Sequence, residues 1–243
     1  MQTYQEFLGR IHSFEKKEVF YGWDYFHGNP SIAQKANQDN RFQPFYGDTI
    51  VFNLDDTVKG QLAEIVEKLY TQVPECFCEK LVSNTFHMTL HDLSNSPVLQ
   101  DVAAEAFENE LKVVELMKQI QPQKIKMKSK YIFNMVGTSL VLGLYPASEE
   151  DYGKLMKLYE MFNAVKCLNY PLTPHITLAY YNVHGFHTES ARKLEALVYE
   201  LNDLEMEFEI STEDLYYQKF TTMNHYVNIL KCCPKVRYDN YRI

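Results

Sequence analysis

A four-residue pattern written twice limits the architectures open to this chain: His87-Met88-Thr89-Leu90 recurs 88 positions later as His175-Ile176-Thr177-Leu178. In an extended strand successive side chains point to opposite faces. Each histidine then shares a face with its threonine, while Met88 or Ile176 and the leucine turn into a core. Among eight histidines, two such strings arise by chance on the order of once in ten thousand chains of this size. The duplication predicts two related units, each presenting an imidazole beside a hydroxyl.

The flanking sequence repeats one plan. Thr49 to Leu54 is a β-branched strand, Asp55 and Asp56 cap a helix to about Gln72, and a strand from about Leu81 to Leu93 carries the first motif. After a helix near Val102 to Gln121, Lys124 to Val136 and Ser139 to Tyr145 read as a hairpin turning at Gly137. A helix from Glu149 to Val165 leads to the second motif strand, Pro174 to Tyr181. Then come a helix from Ser190 to Leu201 and strands at Glu205 to Ser211, Tyr216 to Phe220 and Tyr226 to Lys231. Strand, helix and motif strand are thus written twice.

Residues 1–46 read differently, as an N-terminal extension packed on a single domain of residues 47–243. Tyr4 to Lys17 is helical, and Val19 to Tyr46 is rich in turns around Gly22, Gly28, Asn29 and Pro30. Its aromatic residues (Phe20, Tyr21, Trp23, Tyr25, Phe26, Phe42, Phe45, Tyr46) either wall a pocket or staple the arm to the body, and stapling is the favoured reading.

A formal charge of -8, with 32 acidic against 24 basic residues, argues against coating long duplex nucleic acid. A local pocket for a nucleotide stays open. No leader-like apolar core lies within Met1 to Lys17, and no run approaches a membrane span. The five cysteines, Cys76, Cys78, Cys167, Cys232 and Cys233, suit a disulfide framework badly. A monomer in the reducing cytoplasm is expected.

Two imidazoles facing one cavity can serve as base and acid, and a threonine hydroxyl on the same strand face can donate to nonbridging phosphate oxygens. The pair describes in-line phosphoryl chemistry needing neither metal nor other cofactor. A metal site of His87, His91 and Asp92 can be drawn, but strict alternation points Asp92 to the other face, leaving His91 beside or behind the site. Met88 stands where a helical zinc signature needs glutamate, and Cys76-Phe77-Cys78 has no partner pair. His184 and His187 read as loop residues, and His225 has no evident partner. Tyr180, Tyr181, Tyr131 and Phe133 can line a base-stacking wall. The alternating Lys124, Lys126, Lys128 and Lys130 fit either an extended phosphate backbone or a lysine-protected sheet edge.

The strings Phe86-His87-Met88-Thr89-Leu90 and Pro174-His175-Ile176-Thr177-Leu178-Ala179 resemble the paired H-x-T/S motifs of the two-histidine phosphoesterase superfamily, which includes RNA 2′,3′-cyclic phosphodiesterases. The resemblance covers roughly residues 47–233, and the stretch from Arg41 to Phe52 is similar to the start of the first strand in a less characterised bacterial branch. It implies an α+β, bilobal fold, with a pseudo-two-fold pair of antiparallel sheets forming a central cleft and helices outside. It also implies His87 and His175 as the catalytic pair and Thr89 and Thr177 as phosphate ligands; Tyr180 and Tyr181 are expected as substrate contacts from their own place beside the second motif. Many members carry a basic residue after the second motif, where this chain has Tyr180, which supplies no positive charge.

The expected activity is a metal-independent phosphodiesterase on a nucleotide or short oligonucleotide: a 2′,3′-cyclic phosphate, a 2′-5′ linkage or a cyclic nucleotide signal. The competing expectations are a nucleotide- or RNA-binding module of the same fold without turnover, and a metal-dependent hydrolase. Which histidine is the base stays open.

Overall fold

The computed structural model describes residues 2–16 and 25–232. Lys17, Val19, Phe20, Tyr21, Gly22, Trp23 and Cys233, all used in the sequence reading, lie outside the described residues.

In chain order the elements are α1 (Tyr4–His12), β1 (Tyr25–Phe26), α2 (Ile32–Lys35), β2 (Tyr46–Asn53), α3 (Asp56–Gln72), β3 (His87–Ser96), α4 (Leu99–Met117) and β4 (Lys124–Met135). They continue with β5 (Ser139–Pro146), α5 (Glu149–Phe162), β6 (His175–Tyr180), β7 (Phe186–His187), α6 (Thr188–Leu201), β8 (Glu207–Ser211), β9 (Leu215–Thr222) and β10 (His225–Lys231).

Two four-stranded antiparallel sheets carry the fold, ordered β10-β9-β2-β3 and β6-β5-β4-β8. The orders map onto each other: β2 on β5, the motif strand β3 on the motif strand β6, β9 on β4 and β10 on β8. The two motif strands are neighbours in space. The α+β bilobal arrangement is thus present. Helices flank the sheets, α4 against β2 and β3, and α5 against β4 and β5.

Local chemistry explains the elements. Asp55 caps α3 by accepting the Val58 amide at 2.8 Å, and Ser148 caps α5 by accepting the Asp151 amide at 3.1 Å. The buried stripe of α3, Leu62, Ile65, Val66 and Leu69, recurs at helical spacing. Burying each such side chain contributes about 1.5–3 kcal/mol. At the centre of the first sheet Ile50, Val51 and Phe52 are fully buried. Buried Asp48 accepts from the Ser94 amide at 2.9 Å, the Ser94 hydroxyl, Asn109 at 3.1 Å and the Tyr217 hydroxyl at 3.1 Å. These bonds tie β2 to β3, α4 and β9 and leave the carboxylate satisfied.

Three expectations need correction. The helix from Tyr4 ends at His12 and tightens into a 3-10 turn, Ser13–Lys16. The strand expected from Leu81 begins only at His87, because Ser83–Thr85 form a 3-10 turn in which the Thr85 hydroxyl donates to the Val82 carbonyl at 2.7 Å. The lysine stripe lies on an interior strand, since β4 is flanked by β5 and β8. Lys124 pairs with Glu209 at 2.5 Å and Lys128 with Glu207 at 3.3 Å across that boundary.

The N-terminal segment packs on both lobes. Phe7 and Ile11 of α1 are buried against Tyr152 of α5. Tyr25 and Phe26 pair with His187 and Phe186, and the Phe26 ring sits 4.6 Å from Phe186 and 5.0 Å from Tyr181. Among the described residues no helix is long and apolar enough to cross a membrane.

Candidate active site

The two histidines open their strands in the same way. His87 is the first residue of β3 and His175 the first of β6. Each ring nitrogen Nδ1 lies 2.7 Å from the backbone carbonyl two residues earlier, Thr85 for His87 and Thr173 for His175. A carbonyl only accepts, so Nδ1 carries the hydrogen and Nε2 keeps its lone pair. Both rings line one cleft of about 820 Å³.

Each imidazole touches solvent through the cleft but is otherwise enclosed by protein, and enclosure disfavours the charged form. Burial pushes the His87 imidazolium down to about 4, against the Thr85 hydrogen bond, and His175 across the cleft adds to the depression. Burial likewise lowers His175, against its Thr173 bond. The Asp92 carboxylate opposes the depression at both rings.

Thr89 and Thr177 also line the cleft, and neither hydroxyl has a hydrogen-bond partner among the described residues. Each motif then carries a bulge at the same position. In the first lobe Val51 pairs with Thr89 and Ile50 with His91, so Leu90 is unmatched. In the second, Val141 pairs with Thr177 and Leu140 with Ala179, so Leu178 is unmatched. An extra residue of this kind re-aims the side chains beyond it.

That bulge overturns one reading from strict alternation. His91 does not share the face of His87: it is 1% exposed, its Nε2 lies 2.7 Å from the Lys166 carbonyl, and its ring packs 5.1 Å from Tyr159. Asp92, expected on the other face, lines the cleft instead and accepts a 3.1 Å bond from the Tyr170 hydroxyl. Tyr180 occupies the equivalent place in the second lobe, five residues after its histidine, and lines the cleft with its ring mostly covered.

Tyr181 is a correction. The next side chain along the strand turns the opposite way, so Tyr181 is fully buried between Phe26 and Phe77 and does not reach the cleft. Phe133 lines the cleft, stacked at 4.4 Å on Phe14, whereas Tyr131 does not line it. None of Lys124, Lys126, Lys128 and Lys130 lines the cleft. His225 does find a partner, Thr221 Oγ1 at 2.7 Å.

Sequence reasoning missed Tyr226, Arg10 and Lys35. Tyr226 packs 5.0 Å from the His87 ring. Arg10 reaches from α1 to donate to the Leu172 carbonyl at 2.6 Å and the Thr173 hydroxyl at 2.7 Å, gripping the loop whose Thr173 carbonyl orients His175. Lys35 places its ammonium 5.0 Å from the Tyr180 ring centre and 5.3 Å from that of Phe45. No local motif announces any of the three. Among the described residues no group of three His, Cys, Asp or Glu side chains could hold a metal ion.

No protein-family model and no curated protein sequence matches the chain. Its fold is similar to that of the conserved protein of unknown function ATU0111 from Agrobacterium tumefaciens, at a TM-score of 0.68 and 14% identity, over 84% of this chain and 93% of that one. It is also similar to apo E. coli LigT, at 0.48 and 14%, over 77% of this chain and 96% of that one. A structure described as a phosphoesterase matches at 0.47 and 16%, over 77% and 97%. The likeness to ATU0111 extends over most of both chains and is one of fold.

Proposed function

We propose that this protein is a phosphodiesterase that cleaves a nucleotide or short oligonucleotide with His87 and His175 as general base and general acid, without a metal. The observation that carries the reading is the paired geometry: two imidazoles tethered identically through Nδ1, each with a cleft-facing hydroxyl two residues on. A structural histidine needs one such arrangement; two across one cavity describe proton transfer on both sides of a phosphorus atom.

In the proposed reaction, the Nε2 lone pair of one imidazole takes a proton from water as its oxygen attacks phosphorus in line. The bond to the ribose oxygen breaks, and the second imidazole, protonated at Nε2, delivers its proton to that oxygen. Thr89 and Thr177 donate to the nonbridging oxygens, where charge accumulates. Both rings are depressed in the free protein, and a bound phosphate anion between them favours uptake of the single proton required. The protein works as a monomer in the cytoplasm in this reading.

The test is turnover of 2′,3′-cyclic mononucleotides and linear and cyclic oligonucleotides in excess chelator, with His87→Ala and His175→Ala alongside. Chelator-resistant turnover is expected, falling at least about a hundredfold in each variant. Full activity in either variant refutes the mechanism. Tight binding without turnover across the panel identifies a binding module instead.

A further inference from the structure

The cleft is more cationic than the chain. Against a formal charge of -8, the charged residues lining it are Arg10, Lys35 and Asp92. Both cations come from the segment before β2. Arg10 is engaged with Leu172 and Thr173, whereas the Lys35 ammonium forms no ion pair among the described residues and rests over the rings of Tyr180 and Phe45.

Its position is built. The neighbours Ile32 and Ala36 are 2% and 1% exposed, Ala36 bridges to Phe42, and the Lys35 carbonyl accepts the Gln43 amide at 3.0 Å. A fixed backbone with its ammonium held over aromatic faces at a cleft wall is a preorganised anion site. Tyr180 lies three residues past Thr177, at most about 10 Å along a strand that bulges at Leu178, and still beyond the reach of one phosphate held between Thr89 and Thr177.

We propose that Lys35 binds a second phosphate of the substrate, distinct from the scissile one, so that the cleft selects nucleotides carrying an additional phosphate monoester. This deepens the phosphodiesterase reading and rests on it for the place of the scissile group. The N-terminal segment then forms part of the binding site and restores, from a different element, the cation that Tyr180 does not supply.

The test is calorimetric binding of adenosine 2′-phosphate and adenosine 2′,5′-bisphosphate to wild type, Lys35→Met and Lys35→Arg, which requires no turnover. Wild type should prefer the bisphosphate by about tenfold or more, as expected for a charged hydrogen bond. Lys35→Met should erase that preference and leave the monophosphate affinity in place, and Lys35→Arg should retain it. A preference that survives in Lys35→Met, or an equal loss for both ligands, overturns the proposal while leaving the phosphodiesterase reading intact. Failure of wild type to bind either ligand overturns the proposal, and the turnover panel then decides the phosphodiesterase reading. Thermal melts of the variants separate misfolding from lost recognition.

Discussion

The two lobes share their chemistry and differ in what surrounds it. Each opens its motif strand with a histidine bonded through Nδ1 to the carbonyl two residues back, follows it with a threonine hydroxyl that has no partner among the described residues, and bulges at the leucine. Five residues after the histidine the lobes part: Asp92 in the first, Tyr180 beneath Lys35 in the second. Opposite the histidines stand Asn53 in the first sheet and Gly143 in the second. A Cβ on Gly143 would meet the Lys130 carbonyl at 2.5 Å and Phe133 at 2.8 Å, so the second sheet admits no side chain there. The first lobe is locked from within by buried Asp48, the second from outside by Arg10. A duplicated frame therefore places two equivalently tethered imidazoles at one cleft, and their unequal neighbours make its two sides differ.

Loss of either imidazole should produce the largest effect, and the double variant tests whether the lobes act as one unit. His87→Ala with His175→Ala should cost little more than either alone in steady-state turnover, because groups acting together are non-additive. Additive losses would mean that the lobes work separately. Next, Thr89→Val and Thr177→Val should each lower kcat about tenfold to a hundredfold, with a smaller change in KM, if the hydroxyls bind charge that develops during reaction.

The pH profile probes the difference between the lobes. The proposed reaction needs one neutral and one protonated imidazole, and both depressed rings are largely neutral at pH 7. Lowering the pH therefore raises the competent population until the second proton binds. The maximum of kcat/KM should lie below the ordinary histidine value of 6.5. Asp92 raises both rings, so Asp92→Asn should move that maximum to lower pH, whereas Tyr180→Phe should leave it in place. A maximum above 7 would contradict the assignment.

The smallest expected effect on chemistry is His91→Ala. This ring is in the core, bonded to Lys166 and packed on Tyr159, so the variant should lose about 2–4 kcal/mol of stability by denaturant melt. Its kcat below the melting range should stay close to wild type. A fall in kcat as deep as that of His87→Ala would return His91 to the site.

Much of the architecture was legible because local rules agreed with the fold. Asp55 and the apolar spacing of Leu62, Ile65 and Leu69 announced α3, and Gly137 announced the β4–β5 hairpin. Alternation around His87-Met88-Thr89 and His175-Ile176-Thr177 correctly assigned the faces of those residues. It misassigned His91 and Asp92 because a bulge is a property of two paired strands, and the Leu90 string alone does not contain its partner's register. Tyr181 failed more simply: adjacent strand residues cannot both face one cleft.

By itself, the amino-acid order determined the strand and helix succession, the doubled histidine-threonine unit and the apolar faces that must be buried, since these rest on interactions between near neighbours. Tertiary structure alone decided that β3 and β6 meet, that Asp92 rather than His91 turns toward the cleft, and that Arg10 and Lys35 stand beside residues more than a hundred positions away. The physical reason is that a long side chain on a surface element can serve many ends. Its charge acquires a role only when packing of buried neighbours such as Ile11, Ile32 and Ala36 fixes where that side chain reaches.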